Sequence, residues 1–340
     1  MPRLRLNFLS RRAADALFVA GIATIVALLV KEGLQQGWPL FFQLGVDGLT
    51  LGAVYALIAL GYSMVYGILK LLNFAHGDVY MVGAFIGYGV LTVFGGPASW
   101  SVPTWSLVTM MFVAAMLGTG VLGVVIERFA YRPLRNAPRI APLISAIGVS
   151  FFLQNSALLL VGAQFRAYPF ALIGQGGLQL SSVFVSATRL FVIGGAVALM
   201  IVLTLFVART RLGKAMRATS YDREAAMMMG IDADRVIAST FFIGSALAGA
   251  AGVMFGLVFT EIYHFMGFIA GLKGFTAAVV GGIGSIPGAM IGGILIGLGE
   301  SYATGYVSST YQDLIVFLIL IFVILVRPSG LLGTPAVQKV

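Results

Sequence analysis

The sequence predicts an all-α polytopic membrane protein, a helical bundle of about eight to ten transmembrane segments with broken or re-entrant elements among them. Three observations carry this. The chain has 340 residues, of which 59% are hydrophobic and only 10% charged, with a mean hydropathy of +1.01; a soluble domain carries about 25% charged residues. Its apolar runs reach the roughly 20 residues a helix needs to cross a bilayer, and they lack the alternating ~10-residue strands of a membrane barrel. Glycine is the commonest small residue, at 44 of 340, and small residues let membrane helices approach closely. The net charge of +9 is read as cytoplasmic-loop charge under the positive-inside rule, not as a nucleic-acid footprint. Zero cysteines exclude disulfides and thiolate metal sites.

Arg3, Arg5, Arg11 and Arg12 open the chain without an acid, and residues 16–30 are apolar. Lys31-Glu32 follow at once, where a signal peptide would show a small-residue cleavage site, so the run is read as a retained helix entering from the cytoplasm. Trp38-Pro39 marks the next interface. From Leu40 to Phe94 the chain is too apolar and too long for one span. A polar patch, Lys70 and then Asn73-Phe-Ala-His76-Gly-Asp78, divides it into spans at about 41–66 and 79–94. Residues 95–104 are a Gly/Pro loop before a span at about 105–126. Glu127 among Arg128, Arg132, Arg135 and Arg139 marks a cytoplasmic loop. Spans at about 140–162 and 188–208 flank an outer Gly/Ser/Gln-rich stretch, 163–187.

A span at about 236–260 and a final one at about 312–326 leave 262–303 to cross twice if both termini are cytoplasmic. The centre of that stretch, Gly281-Gly-Ile-Gly-Ser-Ile-Pro-Gly288, has two readings. One is a broken element beside a solute path; the other is a plain turn at the membrane surface. The chain thus divides into a basic segment with a first helix (1–39), a transmembrane domain (40–330) and a tail (331–340).

The motifs of an energy source or a catalyst are missing. There is no G-x-x-x-x-G-K-[ST] phosphate loop, no dinucleotide fingerprint, no H-E-x-x-H and no G-x-S-x-G elbow. His76 and His264 make a poor metal pair. No catalytic residue and no metal site is predicted, and the chain is not read as an enzyme. Gly244-x-x-x-Ala248, Gly249-x-x-Gly252-x-x-x-Gly256, Gly288-x-x-x-Gly292 and Gly293-x-x-x-Gly297 fit helix–helix seams, inside one subunit or between two. Ionisable residues in apolar stretches cost about 2.5–3.5 kcal/mol at a helix centre. Here they are Asp47, Lys70, His76, Asp78, Lys273 and Glu300. Asn73, His76 and Asp78 form the densest group and are candidates for a solute path, with Gly281, Gly282, Ser285 and Pro287 beside them on the broken-element reading. Equally, each charge can lie at an interface, with the lysines snorkelling.

The most charged stretch is 209–235. Six basic residues (Arg209, Arg211, Lys214, Arg217, Arg223, Arg235) and four acidic ones (Asp222, Glu224, Asp232, Asp234) stand between two hydrophobic runs. Tyr221 to Gly230 has the form of a short helix, with Ser220 or Asp222 as its N-cap and Gly230 as its stop. Met227, Met228 and Met229 would give it a flexible apolar face of the kind used to bind partners. The plainer alternative is an ordinary positive-inside loop.

Four segments together bear a family likeness: Asp47 to Gly61, Leu72-Asn-Phe-Ala-His-Gly-Asp78, Glu224-Ala-Ala-Met-Met-Met-Gly230 with Asp234-Arg235 after it, and Lys273 to Gly288. On these the chain resembles the LivH-type permease subunits of branched-chain amino acid ABC importers over nearly all of 40–330. The resemblance implies the type II importer fold. It also implies that Arg217, Asp222, Arg223, Glu224, Ala225, Ala226 and Gly230 form a cytoplasmic coupling segment that docks in an ATPase groove. The Ile-x-Leu-Pro tail of many other importers is absent after this motif, in keeping with the larger type II fold. The implied partners are a second, LivM-like permease, two cytoplasmic ATPase subunits, a periplasmic solute-binding protein and membrane lipid, with no nucleic acid. This chain would bind no cofactor, ATP and Mg being held by the ATPases, and would lie in a bacterial inner membrane with both termini cytoplasmic. Solute would arrive at the outer loops, 163–187 and 261–273. The alternatives from the residues are a stand-alone ion- or proton-coupled transporter, with Asp47, His76, Asp78 and Glu300 as coupling groups, and a passive channel.

Overall fold

The computed structural model describes residues 11–94, 103–135, 137–138, 140–169, 172–174, 176–180 and 182–333. Arg3, Arg5, most of the 95–104 loop, Arg139 and the tail from residue 334 lie outside the described residues. Twelve α-helices are described: α1 (Arg11–Gln36), α2 (Trp38–Leu69), α3 (His76–Phe94), α4 (Thr104–Ile126), α5 (Ile140–Val161), α6 (Ala187–Arg209), α7 (Arg211–Tyr221), α8 (Arg223–Met228), α9 (Ala233–Phe259), α10 (Met266–Gly281), α11 (Ile286–Tyr306) and α12 (Gln312–Val326). Among the described residues, eight helices are long and apolar enough to cross a membrane, so the chain is a multi-pass membrane protein. α10 is apolar but has only 16 residues.

Two helices begin inside the bundle. α2 ends at Lys70, which takes a left-handed φ of 55°, and the chain folds back without helical structure to α3. The ring of His76 lies against Gly61, about 12 Å back along α2 at 1.5 Å per residue. Non-helical backbone at that depth must be covered by protein; Asn73 and Ala75 are fully buried. The second case follows α9. Thr260 turns the chain at φ 62°, and β4 (Glu261–Ile262) pairs antiparallel with β1 (Arg166–Ala167). α10 then begins where Gly267 packs on Gly77 and Asp78 at the start of α3. These are the broken elements of the fold.

The glycine stretch 281–288 is a different feature, a turn between α10 and α11. Gly282 (φ 110°) and Gly284 (φ 88°) make a tight turn, Ser285 caps α11, and Pro287 occupies its first turn. The turn packs on Gly67 near the end of α2 and on Gly330 and Gly333 beyond α12. It therefore closes one end of the bundle, the end that also carries α7 and α8. The residues that signal a turn are the same ones that signal a break, so only packing separates the two.

The core is a set of close helix crossings. A Cβ placed on Gly293 would lie 2.4 Å from Ala56 Cα, and one on Gly297 2.3 Å from Gly52 Cα, so α11 and α2 touch backbone to backbone. α3 and α9 do the same at Gly83 and Gly249. Apolar burial alone gives membrane helices little reason to associate, and these seams supply the contact. The glycine runs thus pack within one chain. The stretch 163–187 is more ordered than a loop. β2 (Gly177–Leu180) and β3 (Val183–Ser186) form a hairpin, with Val183 and Val185 buried and Phe184 exposed, the alternation a half-buried strand requires. Ser186 then caps α6.

Candidate functional sites

At the α8 end, Thr210 caps α7, and Gly213 lets α7 lie on the backbone carbonyls of Phe206 and Val207. Gly213, Met216 and Thr219 are its buried face. Arg217 is on the outer side, where Nη1 donates to the Val207 carbonyl. Asp222, not Ser220, is the cap of α8: its Oδ1 accepts from Glu224 N (3.0 Å) and Ala225 N (3.1 Å), while Ser220 Oγ donates to the Arg217 carbonyl within α7. Gly230 ends α8 with φ 81°, as Ile231 N donates to the Ala226 carbonyl and Gly230 N to that of Met227. This is the Schellman pattern. No atom lies within 4 Å of a Cβ built on Gly230, so Gly230→Ala should cost only the left-handed backbone term, about 1–2 kcal/mol, readable as a lower thermal midpoint with no change in extractability.

Not all of the predicted coupling residues face outward. Glu224 and Ala225 are exposed, and Met228 and Met229 are 86% and 83% exposed, but Ala226 is 5% exposed and packs inward. Arg223 points to Asp234 at 3.8 Å. Asp234 also receives Arg132 (3.2 Å) and Arg135, and Arg135 and Arg132 both reach Glu127, which is 1% exposed. α8, the start of α9 and the connector from α4 to α5 are thereby joined by one ionic network. Sequence reasoning saw these charges as loop charges; their pairing across about a hundred positions left no local signal.

The path candidates separate in space. Asn73, His76 and Asp78 are buried at the start of α3, each 2% exposed or less. Tyr131 OH lies 3.0 Å from the Leu72 carbonyl and 3.2 Å from Asn73 Oδ1. Asp78 accepts from Ser150 Oγ (2.5 Å) and Gln154 Nε2 (3.1 Å) on α5. His76 stacks edge-on against Tyr62 at 4.8 Å. These side chains fasten helices together. Gly282 and Ser285 sit in the turn at the α8 end, with Gly281 at the end of α10 and Pro287 in the first turn of α11 beside it. The structure does not bring the two groups together, and none of the seven lines the main cavity.

That cavity, of about 590 Å³, lies at the hairpin end, with Arg189 of α6, just beyond the hairpin, in its lining. On its wall Lys273 Nζ lies 2.6 Å from Glu300 Oε1 and 2.6 Å from Asp313 Oδ1. Tyr55 OH donates to Glu300 Oε2 at 3.0 Å, and Arg189 Nη1 pairs with Asp47 at 2.6 Å. Lys273 and Glu300 are 4% and 5% exposed. Sequence reasoning singled out Asp47, Lys273 and Glu300 one at a time and missed Tyr55, Arg189 and Asp313. The available signal was opposite sign: a buried lysine and a buried glutamate are each affordable only as a pair.

Residues 45–324 match the family model described as branched-chain amino acid transport system / permease component. The chain is 45% identical over 303 residues to the high-affinity branched-chain amino acid transport system permease protein BraD of Pseudomonas aeruginosa, covering 88% of this chain and 98% of BraD. It is 46% identical over 304 residues to the permease protein LivH of Escherichia coli K12, with the same shares covered. A more distant likeness, 27% over 331 residues, is to the permease protein LivM of Escherichia coli K12, covering 91% of this chain and 74% of LivM.

Proposed function

The chain belongs to the family of branched-chain amino acid transport system permease components, and we propose that it carries branched-chain amino acids across a bacterial inner membrane as one of two permeases of an ABC importer. It is a transport subunit and not an enzyme. Its partners on this reading are a LivM-like permease, two cytoplasmic ATPases that hold ATP and Mg, and a periplasmic binding protein that delivers the solute.

One observation carries the division of labour: α8 is a six-residue helix capped at both ends and set on the outside of the bundle. A helix so short is unstable alone, yet here its caps fix it with Glu224, Ala225, Met228 and Met229 outward. That is a rigid handle with a polarizable apolar tip, suited to a groove on an ATPase. The ionic network from Arg223 through Asp234 to Glu127 would pass a push on α8 to α4, α5 and α9 together. Access would then switch between two states to the extent that ATP binding to the ATPases favours one of them. Several arginines gather at this same end, which supports a cytoplasmic α8 end and hence cytoplasmic termini.

The test is co-purification of the ATPases and leucine uptake with Glu224→Arg/Gly230→Pro. We expect both to fall by about tenfold or more, since charge reversal and loss of the left-handed stop each disturb the handle. Unchanged association and uptake would remove α8 from the coupling role. Uptake that persists when the ATPases' phosphate-loop lysine is replaced would overturn the ABC reading itself.

A further inference from the structure

We infer that the cavity at the hairpin end is a binding station for a zwitterionic α-amino acid with an aliphatic side chain. In it the α-carboxylate exchanges onto Lys273 and the α-ammonium onto Glu300 and Asp313. The inference rests on the proposed amino-acid substrate and deepens it by naming where in this chain, and by which groups, the amino acid is recognised.

The volume is the first support. About 590 Å³ falls within the roughly 300–1,000 Å³ typical of small-molecule sites. The distribution of lining groups is the second. Lys273, Glu300 and Asp313, contributed by α10, α11 and α12, gather the charge, while Phe255, Val258 and Phe259 of α9 supply an apolar wall. A ligand with charges at one end and a hydrocarbon at the other matches that division.

The balance of charge is the third and the most selective. One lysine stands between two carboxylates at 2.6 Å each. Lys273 and Glu300 are too buried to be left alone, since an unpaired charge in such surroundings is costly. Asp313 is different: its side chain is 44% exposed, so it can release Lys273 into solvent contact without being stranded. A zwitterion brings both signs. Its carboxylate takes the place of an acid on Lys273, its ammonium takes the place of Lys273 on the acids, and the net charge of the site does not change. A simple carboxylic acid leaves Glu300 without a cation, and a simple amine leaves Lys273 without an anion. A neutral amide has no charge with which to part the pair. Arg189 and Asp47 form a second ion pair on the wall, which adds no net charge to the site.

The test uses the purified full chain in nanodiscs, with no binding protein to impose its own selectivity. Thermal unfolding is followed with L-leucine, leucinamide or 4-methylpentanoate at 10 mM. Leucine is expected to raise the midpoint by about 3 °C or more, and the two single-charge analogues by less than about 1 °C. Lys273→Met/Glu300→Gln, which removes both charges and keeps an acceptor for Tyr55, should lose the leucine shift. Ala270→Leu, which fills the cavity wall and keeps every charge, should lose it too and covers the case in which the double variant does not fold. Equal shifts from all three compounds, a leucine shift that survives in both variants, or no leucine shift in the native chain overturns the inference. Leucine uptake by the assembled importer is the separate arm. If Lys273→Met/Glu300→Gln imports leucine normally, the site is wrong and the permease reading stands. If the native importer takes up no leucine, the substrate reading itself has failed.

Discussion

Lys273→Met alone should destabilise the protein by about 3–5 kcal/mol, the usual result of removing one partner from a buried ion pair. The loss is set by what stays behind. Glu300 is 5% exposed, and without Lys273 its remaining contact is the hydroxyl of Tyr55 at 3.0 Å. Asp313 contributes less to the penalty because its side chain is 44% exposed. Adding Glu300→Gln should then restore most of the stability, to within about 1–2 kcal/mol of the native chain, because both charges are gone and the Tyr55 hydroxyl retains an acceptor. The measurement is the denaturation midpoint of the native, single and double chains in the same mixed micelles. A double variant no more stable than the single one would mean that the pair contributes something other than mutual charge compensation. The experiment bears on function as well, since a pair whose joint removal is tolerated is free to be parted by a ligand.

What the sequence disclosed depended on how far apart the deciding atoms lie along the chain. The spans were readable because hydropathy is a local property, and each of the eight candidate spans overlaps a run visible in composition alone. α8 was readable for the same reason: Asp222 and Gly230 act within a few residues of themselves, through the bonds to Glu224 N, Ala225 N and the Ala226 and Met227 carbonyls. The ends of charged side chains were not readable. Arg223 looked like a contact for a partner; its side chain is 39% exposed and also reaches Asp234, which is held by arginines from the α4–α5 connector. Lys273 and Glu300 looked like two separate anomalies and are one feature. Gly281 to Gly288 carried a signal for a break in the helix, which falls at residues 282–285, but none for its depth. Lys70 to Ala75 carried a polar signal between two spans, yet the fact that α3 starts well inside the bundle is set by Gly61 receiving the His76 ring. Helix depth is a tertiary quantity, and local composition does not encode it.

The glycine seams lead to the second large effect. Gly297→Leu should cost about 3 kcal/mol or more, at the upper end of what overpacking does, and should strip the protein from the membrane fraction. A Cβ at Gly297 would lie 2.2 Å from Gly52 N and 2.3 Å from Gly52 Cα. Those are backbone atoms in the middle of α2, so no rotamer change relieves the clash and the two helices must separate. Separation would also pull Gly293 off Ala56 and Gly48 off Leu298, and it would move Glu300, one turn further along α11, away from Tyr55 and Lys273. Gly194→Leu is the control. Gly194 is also a helical glycine, in α6, but nothing lies within 4 Å of its Cβ position. There a leucine gains helix propensity, up to about 1 kcal/mol over glycine, and loses no contact. Equal losses at both positions would mean that glycine acts here through backbone flexibility. Loss at Gly297 alone, read as membrane yield and thermal midpoint, would show that it acts through the distance between helices. The second outcome is the one the geometry requires, because α2 and α11 form the wall on which Tyr55 and Glu300 meet, and the charged end of the cavity is only as well placed as that seam is close.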